Sequence, residues 1–185
     1  MGEQHKKHNR REHLNDFHLN VAGEYVYDGA LYACQNDDAK QRRIKRAVWG
    51  MAAILIVAVI AGGCIPAPGM QNCFYVLLPY LGEFLGAASV IWALAKLGMD
   101  WGTVREYNYK KSVAVLPVRT AVTAVFSGLG IVCELIFFFV NDHAGQTFFA
   151  LLYVLLKLTA LLSVLVLRAE IMQAEWDKLP KKNNF

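Results

Sequence analysis

The chain has 185 residues, 56% of them hydrophobic and 18% charged, with a formal net charge of +4. That balance is too apolar for an ordinary soluble domain of this length, and the modest positive charge argues against a nucleic-acid surface. The excess hydrophobicity is gathered into four stretches, which points to an all-α integral membrane protein.

Residues 1–16, "MGEQHKKHNRREHLND", are polar and without period, so a flexible N-terminus is expected. No apolar run precedes residue 47, so a cleaved export signal is not expected. His5, His8, His13 and His18 have a spacing that fits no closed zinc site, and neither a metal nor a cofactor is implied.

Residues 17–36 change character. Phe17, Leu19 and Val21, then Tyr25 and Tyr27, alternate with polar or small residues, and Gly23 and Gly29 stand as turn residues. The pattern predicts a small cytoplasmic β-hairpin. An isolated hairpin is marginal in water, so this one must lean on the "REYNYKK" loop or on another protein, with Tyr25 and Tyr27 as candidate contacts.

Residues 37–97 are expected to form a basic juxtamembrane helix and two membrane helices. Asp37 and Asp38 suit a helix N-terminus, and "KQRRIKR" leads directly into the first span. Arg42, Arg43, Lys45 and Arg46 are candidate contacts for anionic lipid or a partner, or simple topology anchors. The first span, Ala47 to Ile65, has no charge, and the second, Phe74 to Ala95, has only Glu83. Around that acid, Gly82 and Gly86 form a GxxxG contact face, and Pro79 one turn earlier frees a backbone carbonyl. Cys64 and Cys73 bracket the connecting turn "CIPAPGMQNC" and are placed to form a structural disulfide if that side is oxidising.

Residues 98–118 form a connecting loop whose aromatic residues Trp101, Tyr107 and Tyr109 are further candidate contacts. Residues 119–168 carry the other two spans, Thr120 to Val140 with only Glu134, and Thr147 to Leu167 with only Lys157. Thr123, Ser127, Gly130 and Glu134 share one side of the third span, and Tyr153, Lys157 and Ala160 one side of the fourth. Residues 169–185 are expected as a tail. Each span is long enough, at about 1.5 Å per residue, to cross about 30 Å of hydrocarbon.

Of the nineteen Lys and Arg, only Lys157 lies within a span; the rest precede the first, separate the second from the third, or follow the fourth. Basic residues stay cytoplasmic, so both termini are expected inside, an arrangement that suits a bacterial plasma membrane. Counted inward from the outer boundary, Glu83, Glu134 and Lys157 fall at roughly 10 to 15 Å depth and can share one layer. A lone charge at the bilayer centre costs about 2.5 to 3.5 kcal/mol, so Lys157 is expected to pair with Glu134 or Glu83. The other carboxylate must then be neutral, hydrogen-bonded or wet.

No phosphate-binding loop, HExxH, nucleophile elbow or metal-spaced Cys/His cluster occurs, so no enzyme activity is expected. Two function classes remain. One is an accessory or scaffold subunit that packs through its small-residue stripes against a protein partner or a second copy, within membrane lipid. The other is a small oligomeric transporter or channel with Glu83, Glu134 and Lys157 along its pathway.

Overall fold

The computed structural model describes residues 17–19, 25–27, 29–98, 101–141 and 147–180. The expected flexible stretch 1–16, the histidines within it and the His18 side chain lie outside the described residues. Four long helices dominate: α1 (Asp38–Cys64), α3 (Phe74–Leu97), α5 (Leu116–Val140) and α6 (Thr147–Met172), with short helices α2 (Pro68–Asn72) and α4 (Glu106–Lys111) between them. Each long helix is apolar enough to cross a membrane.

Local chemistry sets their ends. Asp38 lies in the first turn of α1, where the helix dipole favours a negative charge. The basic stretch 40–46 is helical and continuous with the first span, so α1 begins well before the apolar run. Proline occupies the opening turn of both α2 and α5, where its missing N–H costs nothing. Gly98 closes α3 with φ 70, a left-handed conformation that glycine adopts without strain. Pro79 sits inside α3, and the helix runs on through it.

The main helix contacts are α1 along α6, α3 along α5, and α5 along α6. The α1–α3 contact is the lightest of the four. The physical reason is the intervening turn. Ala67, Pro68 and Gly69 are buried, and α2 packs on α5 and α6, so the turn crosses the bundle end instead of joining two touching helices. Small side chains permit the close approaches. A Cβ on Gly86 would lie 3.3 Å from the Thr123 Cα, and one on Gly82 would lie 2.4 Å from the Phe126 ring. The GxxxG face is therefore the α3–α5 seam.

Only 28% to 39% of each span's apolar window is buried within the chain. The outward residues include Val57, Leu85, Trp92, Val125, Leu151 and Leu162. So much contiguous apolar surface needs a non-aqueous surrounding, which a bilayer supplies.

The other end carries a small sheet. Strand β3 (Leu31–Cys34) is central, with β4 (Thr103–Arg105) on one side and β5 (Trp176–Lys178) on the other, both antiparallel. Leu31 faces Arg105 and Ala33 faces Thr103 in one ladder, while Cys34 faces Trp176 in the other. Three segments far apart in sequence, before α1, between α3 and α5, and after α6, thus meet at one end of the bundle. The expected hairpin over 17–36 is divided. β1 (Phe17–Leu19) pairs with β2 (Tyr25–Tyr27) alone, whereas β3 leaves it for the sheet, because Leu31 to Cys34 find two partner strands and an aromatic floor there.

That floor is Trp101, Tyr109 and Trp176. Tyr109 stacks on Tyr32 with centroids 4.0 Å apart and lies 6.0 Å from the Trp176 ring. Replacing Tyr109 with Ala removes an aromatic pair worth about 0.5 to 1.5 kcal/mol. Amide exchange at 31–34 is expected to accelerate in that variant while the membrane helices stay protected.

Candidate functional site

Mid-bundle, the three charges of the spans are all buried: Glu83 and Glu134 are at 0% exposure and Lys157 at 3%. Lys157 of α6 reaches across the bundle to α3, where its ammonium donates to Glu83 Oε2 in a direct ion pair. The Ser127 hydroxyl of α5 donates to Glu83 Oε1. Both carboxylate oxygens therefore hold a donor, each from a different helix. A buried carboxylate needs that degree of satisfaction to remain charged in a medium of low dielectric.

Two aromatic rings enclose the ammonium. Its nitrogen lies 4.6 Å from the Tyr80 ring centroid and 5.2 Å from that of Tyr153. Gly130 of α5 leaves room for the lysine stem, since a Cβ there would come 3.5 Å from its Cε. Tyr80 is tied to α1 by its hydroxyl, which donates to the Val59 carbonyl at 3.3 Å. Gly63 accommodates that hydroxyl, which a Cβ would strike. All four long helices thus contribute to one cluster, α1 through a backbone carbonyl.

Glu134 occupies a second level. It is two turns along α5 from Ser127, about 10 Å at 1.5 Å per residue. Its carboxylate lies against Gly69, where an added Cβ would approach Oε2 to 2.2 Å, and beside Phe137. Lys157 takes Glu83 as its direct partner, while the Glu134 carboxylate lies against Gly69 of the buried turn.

Other polar groups along the interior are spent locally. Thr120 donates to the Leu116 carbonyl at 2.9 Å, Thr123 to that of Arg119 at 2.8 Å, and Ser163 to that of Thr159 at 2.7 Å. Near the sheet, Arg119 donates to the Ser89 carbonyl at 2.6 Å and Arg168 to that of Pro117, linking neighbouring helices.

Among the remaining candidates, Arg42 and Arg46 are exposed on the first turns of α1, Lys45 is half-buried, and Arg43 pairs with Glu170 of α6 at 3.6 Å. Tyr25 is 75% exposed, while the Tyr27 side chain lies outside the described residues. Tyr107 is exposed and accepts from Lys111 at 2.6 Å. Trp101 is corrected from a surface contact to a core residue: at 3% exposure it fills the space under the sheet. Tyr109 is likewise engaged inside the cap by its stacking on Tyr32. Cys64 and Cys73 are free thiols at the two ends of a turn held by hydrogen bonds from the Cys73 N–H to Gly69 and from the Asn72 side chain to Pro68. Tyr80 was not singled out by sequence, although it stands three residues from Glu83 on the same helical face, the spacing that announces such a neighbour.

Two substitutions separate the roles. Ser127→Ala removes a hydrogen bond to a buried charge and is expected to cost about 1.5 to 3 kcal/mol, measured by unfolding in detergent. The Tyr153 hydroxyl makes no hydrogen bond among the described residues, so Tyr153→Phe is expected to be nearly neutral and Tyr153→Ala to destabilise. No known protein family, curated protein or solved structure matches the chain.

Proposed function

We infer that the chain is an accessory or scaffold subunit of a membrane, whose bundle is a fixed platform and whose sheet-bearing end faces the cytoplasm. The observation that carries the reading is the satisfaction of Glu83 by Lys157 and Ser127 within a four-helix cluster at 0% to 3% exposure. Such an arrangement locks helices together and exposes neither charge to a pathway. The turn across the far end and the sheet across the near end agree with it. The Lys and Arg distribution supports the orientation, since the segments that meet in the sheet are those that carry the basic residues.

A partner is expected at the sheet-bearing end, where Tyr25 is exposed on the β1–β2 hairpin. Affinity purification of the full chain in a mild detergent, with Tyr25→Ala and Lys157→Met beside the wild type, tests this. A stoichiometric foreign protein that is lost with Tyr25→Ala, while the bundle stays folded, supports a scaffold. The wild type running alone as one species refutes it.

The transporter reading draws on the polar line Thr120, Thr123, Ser127 and Glu134, all buried on one side of α5. Against it, the threonine hydroxyls are bonded to their own helix and Ser127 to Glu83. Ion flux through reconstituted protein that disappears in Glu83→Gln would favour that reading.

A further inference from the structure

At the end of α3 that meets the sheet, a group of cations and aromatic residues stands outside the site described above. Trp92 is 62% exposed on the apolar surface of α3, and one turn later the Lys96 ammonium lies 5.3 Å from its ring centroid. Helix α4 packs against this same helix. It brings Lys111, whose ammonium donates to the Tyr107 hydroxyl at 2.6 Å and lies 4.2 Å from that ring's centroid. Lys96 is close enough to add to the positive field at the same hydroxyl.

Glu106, the carboxylate of α4, is occupied by Lys110 at 2.6 Å. Lys96 and Lys111 take part in no ion pair among the described residues. Two ammonium groups with spare N–H donors are thereby held on aromatic rings at the boundary between the apolar helix surface and the polar cap. Tryptophan and tyrosine settle at headgroup depth, lysine stems extend along apolar surface to reach it, and anionic headgroups attract cations there.

We propose that Trp92, Lys96, Tyr107 and Lys111 form a binding site for the anionic phosphate of a membrane lipid headgroup, with the acyl chains lying along the outer face of α3 beside Trp92. The proposal rests on the bundle standing in a bilayer and is independent of the scaffold role. The basic residues of α1 differ from this group. Arg43 is paired with Glu170, and Arg42 and Arg46 have no ring contact among those recorded for the described residues.

The test uses the full chain in vesicles of phosphatidylcholine containing one quarter phosphatidylglycerol, with either lipid brominated on its chains. Quenching assigned to Trp92 is the wild-type signal less that of Trp92→Phe, and it gives the relative association of the two lipids at this position. Phosphatidylglycerol is expected to be preferred by on the order of tenfold or more, from the attraction of two lysines. Lys96→Gln/Lys111→Gln is expected to abolish the preference, Lys96→Arg/Lys111→Arg to keep it, and Arg42→Gln/Arg46→Gln to leave it unchanged.

An equal preference in wild type and in Lys96→Gln/Lys111→Gln overturns the proposal. So does its loss in the α1 variant, which would mean diffuse attraction to the whole basic surface. Competition by millimolar inorganic phosphate as strong as that by lipid would assign the site to free phosphate and overturn the lipid. Absence of Trp92 quenching by either lipid would overturn the bilayer placement itself, a failure distinct from loss of selectivity and from any result on protein partners.

Discussion

Replacing Lys157 with Met is expected to destabilise the bundle by about 3 to 5 kcal/mol, read from unfolding in mixed detergent micelles. The reason lies with what remains. Glu83 is at 0% exposure, and without the ammonium its carboxylate keeps, among the described residues, the Ser127 hydroxyl as its donor. An ionised group in that position must be protonated, reach water or disrupt the packing. Glu83→Gln is expected to be comparably harmful for the converse reason, since it leaves a buried cation between Tyr80 and Tyr153. Cation–π contact with the two rings offsets part of the loss, so the smaller of the two effects is expected for Glu83→Gln. Lys157→Arg is a poor rescue. The planar fork is bulkier than an ammonium and would press on Gly130 and the two rings.

Gly86→Val is expected to cost at least 1 to 3 kcal/mol, about the range for overpacking, and to loosen α3 from α5. A Cβ at this position would stand 2.6 Å from the Thr123 hydroxyl oxygen and 3.3 Å from its Cα, so the obstacle includes backbone that no rotamer change can move. Gly82→Val meets the Phe126 ring instead, at 2.4 Å, and a ring on the outer part of the seam can swing away. The expected order of harm is therefore Gly86→Val above Gly82→Val, with Gly128→Val, which meets nothing within 4 Å, close to neutral. Detergent-resistant fold measured by tryptophan fluorescence across the three variants checks the order. A uniform response would mean that α3 and α5 do not meet at these glycines.

Much of this was legible in the sequence because the bilayer is a severe solvent. Four apolar runs with one or no charge each can only be helices, and a charge in such a run demands a partner, so Lys157, Glu83 and Glu134 stood out at once. The GxxxG face at Gly82 and Gly86 and the shared side of Thr123, Ser127 and Gly130 followed from helical spacing; Gly82, Gly86, Thr123 and Ser127 lie where α3 meets α5, and Gly130 faces Lys157 of α6. What spacing cannot give is which helices oppose each other. Depth along each helix left Glu83 and Glu134 as equal candidates, and the Glu83 pairing emerges only in the assembled bundle, where the Glu134 carboxylate lies against the buried turn. The sheet was half hidden for a different reason. Trp176 to Lys178 is too short to show an alternation, and Thr103 to Arg105 becomes a strand only because β3 lies beside it. Trp101 and Tyr109, exposed in expectation, are drawn inward by that same sheet, since a ring gains more by covering the bundle end than by facing water.

If the Glu83–Lys157 pair locks α3 to α6, the two side chains must be energetically coupled. The measurement that addresses it most directly is a double-mutant cycle of Glu83→Gln and Lys157→Met, with stability read by reversible unfolding of each form in the same micelles. The double variant, which leaves neither charge buried alone, is expected to lose no more than the more harmful single variant, a coupling of about 3 kcal/mol. Additive losses, with a coupling within about 0.5 kcal/mol of zero, would mean that the two side chains do not hold each other and would contradict the lock.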